Sequence, residues 1–395
     1  MNGKHKLNKF EMSHILNSID IKFTKREDEK WILEHSNKYY IISESTKILI
    51  QILIDNKFDL NVSYKEFLNN FEAINKKDFE YIVDNNLKLL ELDNDSSNKE
   101  TKEKSFILFE TQILNPTTAC KIAQIFTPLF QPTFFWITMF LLAIFATYCL
   151  IDIHHLHLSN EYLVGLVIFY LVTAFIHELG HISACKKFTG DNGEIGLGIY
   201  FIFPVFYSNI TPIWKANKQE RIITNLAGVY IQMIFLFLLY IFNKYLQIHE
   251  INDAIKISIL IVLYQLIPFI RTDGYWILTD LFNSPNLLPN STKQTKKLLN
   301  NPFKLEQFNT KKDIIELIYG LFNYFVMIYI IGNIITNYQT KLITVPFKFI
   351  ETLITDTINS YNFFKNNLEV LFISLIFYLI IYNFIKNISI KKSLK

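Results

Sequence analysis

The residues of this chain best suited to chemistry lie in the pentapeptide His177-Glu178-Leu179-Gly180-His181. Histidines four positions apart lie on the same face of a helix, one turn from each other. Two imidazoles placed in this way can bind one zinc ion, and the glutamate between them can act as a general base on a water molecule. The same five residues also occur by chance on soluble helices, so the surrounding sequence has to decide between the two interpretations.

The pentapeptide follows an apolar run, Tyr162 to Ile176, that contains no charged residue. Ionisable side chains at membrane depth are costly and usually mark a functional site. Three such residues within five positions, at the end of a membrane helix, are hard to explain by packing alone. The setting therefore favours a zinc site inside a membrane over an accidental match.

A catalytic zinc usually takes three protein ligands and keeps its fourth position for water. The best third candidate is Asp273, which follows the helix breaker Pro268 and precedes Gly274, where the backbone can turn. A helix cap is the alternative role for this aspartate. Asp280, two turns further on, and Cys185, one turn after the second histidine, are other possible ligands, although packing explains both residues as well.

The composition points to a membrane protein, because 50% of the 395 residues are hydrophobic and 15% are aromatic. The net charge of +3 is small and gives no reason to expect nucleic-acid binding. Three widely separated cysteines argue against a disulfide framework. The first 20 residues carry charges and no apolar core of the signal-peptide type, so we expect a cytosolic N-terminus.

Six apolar stretches are long enough to cross a bilayer, which takes about 20 helical residues. They cover residues 133–151, 162–185, 221–244, 255–270, 317–337 and 368–385. A further uncharged stretch, 195–214, contains two glycines, two prolines and several β-formers, which favours a re-entrant extended hairpin over a helix. Basic residues flank it on both sides, as expected for cytosolic flanks. Six spans then place both termini in the cytosol and Asp273 at the same membrane face as His177 and His181.

Residues 31–95 predict a small cytosolic domain with two short strands and three helices, the order of a winged helix. The strands flank Ser36-Asn37, the first helix covers 46–54, a capping box at 63–66 begins the second, and the third covers 77–92. Residues 1–30 are expected to form a flexible N-terminus and 96–120 a linker. Residues 121–290 are expected to form an intramembrane core with four transmembrane helices, and 291–395 a C-terminal pair with a cytosolic tail. The predicted fold is thus a polytopic α-helical membrane protein with a re-entrant β-like segment and an N-terminal α/β winged-helix domain.

The pentapeptide and the later Pro268 to Gly274 segment resemble the site-2 protease family of intramembrane zinc metallopeptidases. Segments at 193–196, 203–207, 225–230 and 273–287 are similar to that family's branch of peptide zinc metalloproteases. The resemblance covers roughly residues 105 to 290. More weakly, residues 30–95 are similar to the PqqD-like winged helix, which binds leader peptides.

The resemblance implies that His177, His181 and Asp273 hold one Zn²⁺ per chain and that Glu178 is the general base. It also implies hydrolysis of a peptide bond in a small, ribosomally made and exported peptide or in its leader. One departure is Ile267, which stands where the family usually has an asparagine before the proline. The residues expected to bind substrate instead are Asn225, Gln232 and Tyr207.

Two other functions stay open at this point. The chain could be a peptide-binding or export accessory protein of a peptide maturation system, without essential proteolysis. A metal-binding secondary transporter would need inverted repeats, and no second copy of the pentapeptide occurs in the sequence. The expected partners are the peptide or its leader, the lipid bilayer of a bacterial cell membrane, and a peptide-modifying enzyme or exporter, with no nucleic acid. The histidines at 154, 155 and 157 would face the outside and are interpreted as interfacial.

Overall fold

The fold is described here from a computed structural model, which is mostly helical. The described residues are 21–26, 29–35, 38–71, 74–89, 107–151, 162–200, 203–269, 271–302 and 308–355, with 374, 377, 378 and 382. Four helices among them are long and apolar enough to cross a membrane, which indicates a membrane protein. The predicted linker core at 93–104, the histidines at 154, 155 and 157, and most of the sixth predicted span lie outside the described residues.

The N-terminal part forms an antiparallel sheet of three strands in the order β1-β2-β3, followed by three helices. Leu33, Ile50 and Phe79 are fully buried in the core between sheet and helices. The first strand was not predicted, because it lies in the stretch assigned to a flexible N-terminus. These elements are β1 (Lys22–Lys25), β2 (Trp31–His35), β3 (Lys38–Ile42), α1 (Glu44–Asp55), α2 (Leu60–Asn70) and α3 (Lys76–Leu89).

The predicted helix starts in this part are wrong by one to three residues. Helix α1 begins at Glu44 because the Ser43 hydroxyl caps it, accepting a hydrogen bond from the Thr46 amide at 3.1 Å. Helix α2 begins before the predicted capping box, because the Asp59 carboxylate accepts from the amide of Asn61 at 2.9 Å. In both cases the capping residue precedes the predicted one, Ser43 before Ser45 at α1 and Asp59 before Ser63 at α2.

The central part of the chain contains three of the four membrane-length helices and a second three-stranded sheet, in the order β4-β5-β6. Residues 194–200 and 203–209 form neighbouring strands, so this part of the stretch is extended rather than helical, as predicted. The stretch 96–120, predicted as a linker, contains strand β4 and helix α4 in its described portion. The elements are β4 (Ile107–Leu114), α4 (Pro116–Ala123), α5 (Pro132–Ile151), α6 (Leu163–Thr189), β5 (Glu194–Tyr200), β6 (Phe203–Asn209), α7 (Lys218–Leu246) and α8 (His249–Gln265).

Helices α5, α6 and α7 correspond to the first three predicted spans, and α7 is the most enclosed of the membrane-length helices. Its Tyr230 ring is fully buried and packs 4.6 Å from the ring of Phe135 on α5. The fourth predicted span forms α8, which has 17 residues and is not among the membrane-length helices of the described chain. It ends at Gln265, earlier than predicted, because Pro268 cannot continue the helix.

The C-terminal part contains four helices among its described residues, the third of which matches the fifth predicted span. Gly320 lets two of them approach closely, because a Cβ there would overlap with Thr295. Beside it the buried carboxylate of Glu316 accepts a hydrogen bond from the Ser284 hydroxyl at 2.6 Å. The elements are α9 (Asp273–Leu281), α10 (Leu287–Asn300), α11 (Lys311–Tyr338) and α12 (Lys341–Thr355).

The N-terminal domain contacts the core through Lys215, in the short 3₁₀ helix Thr211–Lys215 that follows strand β6. The Lys215 ammonium lies 2.6 Å from the carboxylate of Glu34 on β2 and 3.0 Å from that of Asp191. It also lies 5.2 Å from the centre of the Tyr39 ring on β3. Burial alone would lower the pKa of Lys215, but the two carboxylates outweigh it and raise that pKa. One lysine thus ties the small domain to the segment that follows the hairpin.

We expect this contact to weaken in Lys215→Met and, in the wild type, to be lost only above the ordinary lysine pKa of about 10.4, because the pKa of Lys215 is raised. As pH rises through the raised pKa of Lys215, the cation that holds both carboxylates disappears. Burial raises the pKa of Tyr39 to about 12. A released Tyr39 therefore ionises at lower pH than a docked one, which also favours release at alkaline pH.

Energy transfer between dyes on cysteines introduced at Asn69 and Lys187, both exposed, would measure this release. The native cysteines among the described residues are buried. Lys121→Met removes an exposed lysine elsewhere and is the matched control. Unchanged transfer efficiency in Lys215→Met, or a pH profile flat up to 12, would contradict the proposed tie.

Candidate metal centre

His177 and His181 lie together on helix α6, buried to 4% and 5% exposure. Their ring centres are 4.7 Å apart, and their Nε2 atoms are 3.0 Å apart. This is the arrangement expected for two histidines one helical turn apart with rings turned to the same side. The pair therefore presents two ring nitrogens to one small space inside the core.

The other ring nitrogens of both histidines are held by helix α7. His181 Nδ1 lies 2.8 Å from the Thr224 carbonyl oxygen, and His177 Nδ1 lies 3.1 Å from Oε1 of Gln232. A carbonyl oxygen can only accept, so Nδ1 of each ring must carry the proton and donate it. Each neutral ring then has a lone pair on Nε2, directed towards the other ring.

Two lone pairs 3.0 Å apart repel each other unless a cation lies beside both. A proton shared between the rings would require one imidazole to be charged at membrane depth, which is costly. Zinc binds imidazole nitrogen at about 2.0–2.1 Å, and two ligands in a tetrahedral site then lie about 3.3 Å apart. The donor type, the fixed tautomers and the spacing therefore fit a metal such as zinc.

Two glycines make room for this arrangement. Gly180 on α6 lets the two helices approach closely, since a Cβ there would overlap with the Ala227 carbonyl oxygen. A Cβ on Gly228 of α7 would lie 2.5 Å from Nε2 of both His177 and His181. The space beside the two nitrogens thus exists because residue 228 has no side chain.

Asp273 is the first residue of helix α9. The role of this carboxylate as the third metal ligand stays a prediction from the sequence. Two imidazoles and one carboxylate form a set of donors that zinc takes in catalytic sites.

The two alternative ligands, Cys185 and Asp280, have other surroundings. Cys185 is fully buried, with its sulfur 3.7 Å from the Thr189 hydroxyl and 3.9 Å from the Ile210 carbonyl oxygen. Asp280 is 7% exposed and belongs to the last turns of α9.

The remaining predicted site residues occupy different positions. Glu178 directly follows His177 and is half-buried. Gln232, predicted to bind substrate, has its Oε1 atom 3.1 Å from Nδ1 of His177. Asn225 is 8% exposed on α7. Tyr207 lies across the hairpin against Gly196, where any Cβ would overlap with its ring.

Sequence reasoning missed Thr224 and Gly228 as parts of the site. The carbonyl of Thr224 acts through the backbone, so its side-chain type carries no signal. Gly228 did carry a signal in the sequence, because a small residue inside an apolar helix indicates that another group approaches it closely. Which group approaches it could be known only from the packing of α7 on α6.

Comparison with known proteins gives one partial similarity. A protein of Bacillus subtilis (strain 168), which carries the provisional name peptide zinc metalloprotease protein YydH, is 30% identical over 115 residues. The match covers 29% of this chain and 46% of that protein, so the chain spans about half the length of its relative. No family model matches the sequence, and no solved structure matches the fold. The similarity supports a relationship to zinc metalloproteases.

Proposed function

We propose that this chain is an intramembrane zinc metalloendopeptidase of the site-2 protease type. Its substrate would be a small, ribosomally made and exported peptide, or the leader of one. The observation that carries the proposal is the His177–His181 pair, whose Nδ1 atoms are both engaged and whose Nε2 atoms face one space at 3.0 Å. The partial similarity to a protein named as a peptide zinc metalloprotease adds support.

His177, His181 and Asp273 would hold one Zn²⁺ per chain, a set of two imidazoles and one carboxylate that zinc takes in catalytic sites. When bound, zinc lowers the pKa of a water molecule and polarises the carbonyl of the scissile bond. Gln232 and the Thr224 carbonyl keep both rings in the tautomer that leaves Nε2 as the ligand atom. Such outer contacts orient ligands and raise their basicity.

Glu178 is the proposed general base and acid. Its carboxylate would accept a proton from the attacking water and later return it to the nitrogen of the leaving amine. Its place in the chain next to His177 and its partial burial support this role. No other residue of the pentapeptide can carry out this proton transfer while both histidines serve as ligands.

A peptide bond within a helix is shielded by its own hydrogen bonds, so the substrate must unwind locally. The hairpin of β5 and β6 is proposed to pair with the unwound segment as an added strand. Tyr207 and Asn225 are proposed to contact that segment. The N-terminal domain, proposed to be of the PqqD-like winged-helix type, would bind the leader in the cytosol and raise the effective substrate concentration at the site.

The location that fits this function is a bacterial cell membrane, with six transmembrane helices and both termini in the cytosol. A peptide-modifying enzyme or an exporter would act on the same peptide before or after cleavage. The four membrane-length helices of the described chain support the membrane location.

Zinc content tests the proposed ligand set. Purified wild type is expected to hold about one zinc per chain. The zinc affinity of Asp273→Asn should be lower by more than the 10- to 100-fold that is typical when a residue contacting a ligand is changed. Asp280→Asn makes the same chemical change at the runner-up position and should keep full occupancy. If Asp273→Asn retained full zinc occupancy and affinity, Asp273 would not be a ligand.

A further inference from the structure

Two side-chain hydroxyl groups donate hydrogen bonds to backbone carbonyl groups of the turn that precedes Asp273. Helix α8 ends at Gln265, and α9 starts at Asp273, with Pro268 between them. The Thr272 hydroxyl donates to the Ile267 carbonyl oxygen at 2.8 Å. The Tyr319 hydroxyl donates to the Pro268 carbonyl oxygen at 2.7 Å. The first hydroxyl belongs to the turn itself, whereas the second comes from helix α11, 51 residues further along the chain.

Tyr319 is itself held firmly. It is 6% exposed and belongs to an apolar cluster with Tyr275 and Leu287. The ring of Phe269, the residue after the proline, stacks on the Tyr319 ring at 6.5 Å with an angle of 22° between the planes. One side chain therefore contacts two consecutive residues of the turn, through its hydroxyl and through its ring.

Backbone groups in a membrane protein need internal partners, because lipid offers none. A proline turn at the end of a helix interrupts the helical hydrogen bonds and leaves carbonyl groups that another element must satisfy. Tyr319 supplies that partner at Pro268. Without its hydroxyl, the carbonyl would have to turn towards some other donor, and the start of α9 would move with it.

We propose that Tyr319 is a positioning residue for Asp273, an inference that rests on the metal-ligand role proposed above. A metal ligand must be held within about 0.5 Å of its productive position. Asp273 is the first residue of α9, so the turn before it sets where its carboxylate lies. The hydrogen bond at Tyr275 does not hold this turn. The Tyr275 hydroxyl accepts from the amide of Leu288, which follows Asp273 in the chain.

The test compares Tyr319→Phe with wild type in zinc affinity, measured by competition with a chelator, and in the visible spectrum of the cobalt(II)-loaded protein. We expect zinc binding weaker by roughly 10- to 100-fold and a changed cobalt spectrum. Tyr64→Phe is the matched control, since the Tyr64 hydroxyl also donates to a backbone carbonyl, that of Ile74, at 2.7 Å within the N-terminal domain. It should lower thermal stability without changing either metal readout.

Wild-type affinity and spectrum in Tyr319→Phe would overturn the positioning role. If Tyr319→Phe does not fold, Phe269→Leu removes the ring on which Tyr319 stacks, and unchanged metal binding in that variant would overturn the inference equally. A wild type that binds neither zinc nor cobalt would instead overturn the proposed metal site itself. The two failures are thus distinguishable.

Discussion

Replacing Glu178 by glutamine is expected to abolish peptide hydrolysis while zinc stays bound. The amide has nearly the same shape as the carboxylate, but it cannot accept the proton of the attacking water. General acid–base groups typically contribute about 10²- to 10⁴-fold to a rate. We therefore expect turnover to fall by at least about a hundredfold at unchanged zinc content.

Mass spectrometry of peptides from cells producing wild type or Glu178→Gln would measure this effect on whichever cellular peptide is the substrate. An uncleaved peptide should accumulate in the variant. Glu250→Gln, at the partly exposed start of α8, is the matched control and should leave the peptide pool as in wild type. Identical pools in Glu178→Gln and wild type would favour the alternative function, peptide capture without proteolysis.

Gly228→Ala is expected to have the second largest effect, the loss of metal binding. The added Cβ would lie 2.5 Å from Nε2 of His177 and of His181, so it would occupy the space beside both ligand atoms. Both rings are held at Nδ1 by α7 and cannot move away without breaking those bonds. Zinc content should therefore fall from about one per chain to a small fraction of that value.

Two other glycines provide controls for the same substitution. A Cβ at Gly165 on α6 or at Gly332 on α11 would meet no atom within 4 Å. Gly165→Ala and Gly332→Ala should keep wild-type zinc content, and both should be at least as stable as wild type, because alanine favours helices. Full zinc occupancy in Gly228→Ala, measured by elemental analysis of folded protein, would show that the metal lies elsewhere or is absent.

The proximity of the two histidines could be predicted from the sequence, while the roles of Glu178 and Asp273 stay predictions. Residues at i and i+4 of one helix must be neighbours, so the pentapeptide carries its own geometry. Asp273 was predicted from its local signals, a preceding proline and a following glycine. The extended hairpin was likewise visible, because glycines and prolines exclude a helix there.

What could not be predicted depends on contacts between distant segments. Gln232 looked like a substrate-binding amide, and only the packing of α7 on α6 places it against His177. Strand β4 follows a polar stretch, and its place beside β5 depends on long-range pairing rather than on its own pattern. Tyr319 had no signal at all, because its role comes from a carbonyl 51 residues away.

X-ray absorption at the zinc edge of the purified wild type tests most directly whether His177, His181 and a carboxylate hold zinc. The expected spectrum shows only nitrogen and oxygen ligands at about 2.0–2.2 Å, with the outer scattering of two imidazoles. A sulfur ligand at about 2.3 Å would place Cys185 or another cysteine in the site. Absence of zinc from protein produced with zinc supplied would contradict the metalloprotease account itself.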